Sequence, residues 1–591
     1  MVYMPSRRND AQRPKNPPFT QWTDGRLSRL AIFGGRRGWL VLLGTGGFVA
    51  HQVCEALVPV VIGAVVDNAL APADGAALGV WLAILAGVFL VLAFSWRIGM
   101  RLTVRAYSFG SHDLRQLAIT RVLDPRGMRH RRAPGEVMSI TSSDTDRIAG
   151  LAWLVGGSVG AAAAVATTAV ALLAISVPLG LAVLVATPLM LTVMHFLSRP
   201  LERRSEEEQA TAAHAGALAT DFVTGMRVLK GLGAEDAAAE RYRTASQRSY
   251  AAALRAIRSK AAYLGVGTAL STTFLAGIAL YAAQLALAGQ LSVGDFVAVV
   301  GLAQFVQGPM MRLGFVGVEL AQKRGSSRRL SAFLAEAPAL AAATGGTIAG
   351  SAAAATAGTV GAELAFAGTS ADGLDLPAFS AKQGEVVGLV VPDSARAKQL
   401  MGVLGFHDPA PRGWITVDGH DVADVDPRHG RSRIFAAAHD ASLFTGTIAA
   451  NLAGRANDSA GAEHRALAAS AVSDVLNHRP AGLASHLTNG GTELSGGQRQ
   501  RLVLGRALHQ PQPIIVLHDP STAVDSVTEG MIAEGLRRFP DKILILITTS
   551  PALLATCDQV IVANVVGPGP ARGTHRELLA TLTGYRELVQ A

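Results

Sequence analysis

The residues with the clearest chemical content are Leu494-Ser495-Gly496-Gly497-Gln498, continued by Arg499-Gln500-Arg501 and an apolar helical stretch over 502–508. Two adjacent glycines let backbone amides approach a ligand, and the serine hydroxyl adds a donor. A helix opening directly behind them aims its positive end at the same place, which suits an anion and above all a phosphate. Two other places put polar groups at the end of an apolar run. After 386–390 the chain reads Val391-Pro392-Asp393-Ser394-Ala395-Arg396-Ala397-Lys398-Gln399, and after 514–517 it reads His518-Asp519, with Ser521-Thr522-Ala523-Val524-Asp525 beyond. His407, His420, His429 and His439 lack metal-ligand spacing and have no cysteine companions, so no metal site is expected.

The elements that must position these groups fall into two kinds. Runs 386–391, 514–517 and 543–547 are short and β-rich and alternate with helical stretches, which predicts an α/β domain with a mainly parallel sheet. Everything before about residue 320 is different. Half of the 591 residues are hydrophobic and only 16% are charged, less charge than a soluble chain of this length carries, so membrane spans are expected. Residues 38–66, 75–95, 149–198 (two spans, with Ser176-Val177-Pro178-Leu179-Gly180 as the hairpin), 261–285 and 296–311 supply six. Residues 1–37 hold eight Lys/Arg against two acids, and 97–147 ten against five. The expected outer turns 67–74, 176–180 and 286–295 hold no Lys or Arg, so both termini are expected in the cytoplasm of a multi-pass plasma-membrane protein. That asymmetry accounts for the net charge of +9 better than nucleic-acid binding does. The basic start has no short apolar core with a cleavage site behind it, so no signal peptide is read. Cys54 and Cys557 fall in different domains, which speaks against a disulfide framework.

Between spans two and three, and again over 199–260, the sequence is polar with helical spacing and breaks at Asp124-Pro125-Arg126-Gly127 and at Gly231-Leu232-Gly233. These are expected to be cytoplasmic extensions able to touch a soluble domain. The expected organisation is a cytoplasmic segment 1–37, a membrane domain 38–334, an Ala/Gly/Thr-rich linker 335–360 and the α/β domain 361–591.

With its Arg-Gln-Arg continuation, the 494–498 string resembles the signature motif of ABC transporters, and the resemblance extends over nearly the whole chain. The spans and excursions look like an exporter-type membrane domain. Gly135-Glu136-Val137-Met138-Ser139 with Asp144 and Asp146 matches the segment after the first coupling turn, and 221–235 matches the second. Gly573-Thr574-His575-Arg576-Glu577-Leu578-Leu579 with Tyr585 matches the closing helix. The resemblance implies a six-helix membrane domain followed by an α/β ABC-type nucleotide-binding domain that works in head-to-tail pairs. Each ATP and its Mg²⁺ are then held by the phosphate loop of one chain and the signature of the other. For this chain the implied contacts to a partner's ATP are Leu494, Ser495, Gly496, Gly497, Gln498 and Asp525.

The same resemblance marks departures. A phosphate loop needs glycines, a lysine for the phosphates and a Ser/Thr for the metal. Here Val391, Ser394 and Arg396 stand for the glycines, Ala397 for the lysine, and Lys398 and Gln399 for the Ser/Thr pair. Gly368 stands where an aromatic would stack on adenine. His439 replaces the γ-phosphate-sensing Gln, and Asn489 stands where a Glu is common before the signature. His518 replaces the metal-organising acid, Asp519 the general-base Glu, and Thr549 the switch His. One lost charge-assisted hydrogen bond costs about 1.5–3 kcal/mol, and several are missing together. The chain's own site is therefore expected to bind nucleotide weakly or not at all and not to hydrolyse it. The signature is expected to complete the site of a second half-transporter with complete motifs. A non-transporting, regulatory membrane pseudoenzyme is the alternative, and a homodimer fails because both sites would be defective. Glu55, with His51, and Gln304, Gln307 and Arg312 mark a candidate substrate cavity at membrane depth. Arg129-His130-Arg131-Arg132 reads as a basic cluster facing anionic lipid. The substrate, a small molecule or lipid, is not legible.

Overall fold

The computed structural model describes residues 18–590 apart from 131, 342–360, 369, 372–373, 439–441, 454–459, 489 and 564–570. The chain divides into two units: residues 1–121 with 132–336, and residues 122–131 with 337–591.

Six helices in the first unit are long and apolar enough to cross a membrane. They are α1 (Arg37–Val65), α2 (Gly75–Val122), α3 (Leu151–Ile175), α4 (Val177–Thr224), α5 (Glu235–Leu287) and α6 (Val293–Ala335). Small residues let them approach closely. A Cβ on Gly63 would lie 2.4 Å from the Gly294 carbonyl, and one on Gly47 2.8 Å from Gly99 Cα, the close backbone contact that helices without a hydrophobic drive between them need. The α3–α4 hairpin is tighter than the five residues expected: Ser176 alone links the helices. Pro178 sits in the first turn of α4, where its missing N–H costs no hydrogen bond. Residues 18–33 also belong to this unit. The helix Asp24–Phe33 buries Leu27 and Ala31, and Ser327 and Ser331 of α6 donate to the carbonyls of Asp24 and Trp22.

Both breaks expected in the polar extensions form at the predicted residues. Gly127 (φ 67°) closes a turn on Asp124, whose carboxylate also receives Arg126. Gly233 (φ 62°) ends the short helix Met226–Leu232 before α5 begins. The first turn groups with the second unit, a partition the sequence reading had not drawn. Leu340 N–H donates to the Arg126 carbonyl and Arg129 N–H to that of Ala337, so the first residues of the expected linker are tied to the turn. Residues 342–360 of that linker lie outside the described residues.

The second unit is built on a six-stranded sheet. Its strands are β1 (Val386–Val390), β2 (Ile434–Ala437), β3 (Ile514–His518), β4 (Ile543–Ile547), β5 (Gln559–Val562) and β6 (Ala571–Gly573). Their order is β6-β5-β1-β4-β3-β2, parallel throughout except for β6. All five residues of β1, β3 and β4 are buried, as expected for parallel strands covered on both faces. Helix α7 (Ser394–Leu404) packs on one face through Ala397, Leu400 and Val403. Helices α8 (Gly496–His509) and α9 (Ser526–Leu536) pack on the other through Leu504, Leu508, Ile532 and Leu536. A smaller antiparallel sheet contains Glu363–Phe366, Phe379–Lys382, Ile415–Val417 and His420–Asp421.

Candidate functional site

The carboxyl ends of β1, β4, β3 and β2 lie side by side, and in sheets of this kind the loops beyond those ends form the ligand crevice. They carry residues 391–393, 548–550, 518–525 and 438 onward. His439 and Asn489 lie outside the described residues.

The turn after β1 runs from Val391 to Asp393 and enters α7 at Ser394 with no residue in the left-handed region. Asp393 is the N-cap: its Oδ1 accepts from Ala395 N–H at 2.9 Å, and its Oδ2 lies 3.4 Å from Arg396 Nε. A carboxylate therefore already sits at the positive end of the helix, with a guanidinium beside it. Ala397 is 3% exposed and faces the core, whereas Lys398 and Gln399 are exposed on the helix surface. Gly368 has φ 74°, and a Cβ there would stand 2.6 Å from Ala378 N, so an aromatic could not replace it without moving the backbone. Phe366, the nearest aromatic in sequence, is buried and stacks on Phe379 at 4.6 Å.

At the end of β3, His518 is buried, and its Nε2 lies 3.5 Å from Asp519 Oδ2. Asp519 adopts φ 45°, a strained conformation for a residue with a side chain, held by its N–H on the Ile547 carbonyl. Thr549 is exposed in the loop that follows β4. Asp525 caps α9: it accepts from the Val527 and Thr528 amides and from the Thr528 hydroxyl at 2.7 Å. The Thr528 amide, then its hydroxyl, hold the Asp525 carboxyl below the usual carboxylate range.

The 494–498 group is built differently. Leu494 is 4% exposed and anchors the turn in a separate apolar cluster with Leu443 and Val503. Ser495 and Gln498 form a capping box: Ser495 Oγ accepts from Gln498 N–H at 3.2 Å, and Gln498 Oε1 accepts from Ser495 N–H at 3.1 Å. The serine oxygen is thus engaged, while its hydrogen can still be donated outward. Gly496 is exposed, and a Cβ there would meet only Ala523 Cβ at 3.7 Å. Gly497 is not equivalent, because a Cβ on it would lie 2.5 Å from the Ala523 carbonyl. Its small size is needed for packing within the chain.

Gln500, passed over in the sequence reading except as part of a string, ties these parts together. It is 5% exposed. Its Nε2 donates to the Asp519 carbonyl at 2.7 Å and to Thr522 Oγ1 at 3.0 Å, and its Oε1 accepts from Ala523 N–H at 2.8 Å. The first turn of α8 and the loop after β3 are thereby one hydrogen-bonded body. The sequence signal was a Gln three residues past the glycine pair, on the helix face that also carries Val503 and Ala507.

In the membrane unit, Glu55 has a partner one helical turn away: His51 Nε2 at 3.7 Å. His51 Nδ1 in turn lies 3.0 Å from the Leu92 carbonyl. Gln304 is exposed and Gln307 half-buried on α6. Arg312 lies against Gly157, whose missing side chain makes room for the guanidinium.

Residues 41–310 match the family model described as the ABC transporter transmembrane region, and residues 377–522 match the model described as ABC transporter. A multidrug efflux ATP-binding/permease protein of Mycobacterium tuberculosis is 29% identical over 563 residues, covering 93% of this chain and 46% of that protein. An ATP-dependent lipid A-core flippase of Aromatoleum aromaticum is 27% identical over 407 residues, 68% of this chain and 66% of that one. The chain thus spans about half the length of the multidrug efflux relatives it matches. The structure of a bacterial Atm1-family ABC exporter with ATP bound superposes with a TM-score of 0.73 at 21% identity, over 93% of this chain and 97% of that one.

Proposed function

Given that this multi-pass membrane chain belongs to the ABC transporters, with an exporter-type membrane domain fused to an ABC nucleotide-binding domain, we infer that it is one subunit of a heterodimeric ATP-driven exporter. Both of its termini are cytoplasmic. It lends Ser495, Gly496 and Gly497 to an ATP held by a second chain with complete motifs and does not turn over ATP in its own site. The observation that carries this reading is the cap at α7: Asp393 occupies the helix terminus where a triphosphate would bind. Alanine stands at 397 in place of the lysine that would hold phosphate, Lys398 in place of the hydroxyl that would hold Mg²⁺, and His518 in place of the acid that would organise the metal. These residues do not fit a nucleotide with its metal.

At the second chain's site, ATP with Mg²⁺ supplies the scissile phosphate. This chain contributes donors: the free hydroxyl hydrogen of Ser495 and the amides that open α8, fixed by the capping box so that they need no reorganisation when charge develops. Asp525, already committed to α9, shapes the loop rather than the phosphate. Closure of paired nucleotide domains would move the two cytoplasmic turns and alternate access between the membrane halves. A relative twice as long as this chain accords with a need for two halves. The substrate classes named for the relatives, drugs and lipid A-core, both suit an apolar path.

Reconstitution of the purified chain alone, and with a second half carrying complete motifs, tests the reading. No turnover is expected from the first and substrate-stimulated turnover from the second. Hydrolysis by the chain alone overturns it. An inactive pair that still assembles would support a regulatory pseudoenzyme instead.

A further inference from the structure

Beneath the membrane spans the helices enclose a cavity of about 780 Å³ that has no role in the reading so far. The short helix Thr145–Ala149 and the cytoplasmic ends of α4, α5 and α6 form it. Its lining changes character with depth. Leu201 and Phe315 give an apolar wall, Leu201 being buried and Phe315 lying 4.7 Å from the ring of Tyr263. Counting about 1.5 Å per residue from the outer helix ends, Phe315 on α6 lies about 33 Å in and Leu201 on α4 about 36 Å in. That is the inner boundary of a hydrocarbon layer about 30 Å thick. Lys260, on α5, lies about 40 Å in by the same measure, at or below the headgroups.

The cations of the cavity are of two sorts. Arg329 is spent on Asp144, with Nη2 2.5 Å from Oδ1, and neighbouring Lys323 pairs with Glu319 at 3.7 Å. Arg147, Lys260 and Arg328 are exposed to the cavity and have no ion pair or hydrogen bond among the described residues. Glu206 is the one lining carboxylate, among the described residues, left without a partner. Three cations against one anion, next to an apolar wall at the membrane boundary, match a molecule whose tail lies in the layer and whose negative head projects below it. Arg329 and Lys323 are held by carboxylates of the chain itself, whereas these three stand open to an anion from outside it.

We propose that this cavity binds the phosphate or carboxylate head of an anionic amphiphile, Arg147, Lys260 and Arg328 holding the head while Phe315 and Leu201 receive the start of the tail. The proposal rests on reading the membrane helices as an exporter's and names the class of its substrate. It does not depend on which ATP site is active.

Native mass spectrometry of the full chain in a neutral detergent, without nucleotide or second subunit, tests it separately from any turnover measurement. Dodecyl phosphate should be retained about tenfold more strongly than dodecylphosphocholine, as one added charge-assisted contact would give. The double variant R147Q/K260Q should lose that preference. R203Q, which removes a charge from α4 outside the lining, should keep it, and E206Q should increase it. Inorganic phosphate should fail to displace dodecyl phosphate at equal concentration. Equal retention of the zwitterion, equal loss in R203Q, or displacement by inorganic phosphate on equal terms overturns the proposal, the last by assigning the cavity to free anions.

Discussion

Two helices of the nucleotide domain, α7 directly after β1 and α8 tied by Gln500 to the loop after β3, have first turns with opposite fates. At α7 the cap is a carboxylate, Asp393, with Arg396 beside it, and the next inward position is a core alanine. At α8 the cap is a neutral serine, locked by Gln498, and the first helical residue is an exposed glycine. The helix dipole is the same in both, about half a positive charge at the N-terminus. What differs is whether the chain has already supplied the anion. A helix terminus neutralised from within is structurally complete without ligand, and one capped by a hydroxyl keeps its field for a phosphate from outside.

Substitutions that exchange these properties should break the comparison if it is wrong. The largest effect is expected from G496D. Aspartate in the first turn suits α8 and meets only Ala523 Cβ, so the thermal midpoint of the chain should hold. Hydrolysis by the paired complex should nonetheless fall by about 100-fold or more, as when one oxyanion-type donor is lost and repulsion is added. G497D would be a poorer probe, because its side chain collides with the Ala523 carbonyl. G368Y, which restores an adenine-stacking ring on paper, should destabilise the domain by about 1–3 kcal/mol through the left-handed backbone alone, with no gain in nucleotide binding by calorimetry. Q500A leaves the Ala523 amide without a partner and the Asp519 carbonyl with only the Thr522 hydroxyl at 3.5 Å. It should cost about 1–3 kcal/mol in urea titrations and lower the turnover of the pair by loosening Gly497 against the 521–525 loop.

Smaller effects sharpen the picture at the caps. D393A should cost about 1 kcal/mol, the usual value of an N-cap, and should not create binding of Mg-ATP. If it did, the cap alone would have been the obstacle, and Ala397 and His518 would matter less than argued. At α9, D525N keeps a capping side chain but removes the charge. Because the folded-state carboxyl titrates below its ordinary value, its contribution is fully present above the unfolded pKa of about 3.9. It is lost as the pH falls through the lower folded value. The midpoint difference between wild type and D525N should therefore be constant from neutral pH to mildly acid pH and shrink only below about pH 4.

Much of this architecture could be read directly from the residues. Long apolar runs with little or no charge have few physical outcomes, and among the described residues six helices are long and apolar enough to cross a membrane. The parallel sheet was legible because continuous apolar runs such as 543–547 fit only strands covered on both faces. Non-local pairing stayed hidden. Nothing in Arg126 or Arg129 announces hydrogen bonds to 337–340, so the turn at 124–127 is expected with the membrane helices. The single-residue link at Ser176 was read too long because proline suits a turn and a first helical turn equally well. At the site, residue types showed what is missing but not what replaces it. The Asp393 cap, the collision behind Gly368, the double duty of Gly497 and the three bonds of Gln500 all depend on which backbone atoms lie opposite, which one-dimensional spacing does not encode.

The central claim is most directly tested by trapping a photoreactive ATP analogue with Mg²⁺ and vanadate in the assembled pair and mapping the label by peptide sequencing. The account predicts label on the phosphate loop of the second chain and none on residues 391–399 of this one. Stoichiometric label beside Arg396 and Ala397 would contradict it.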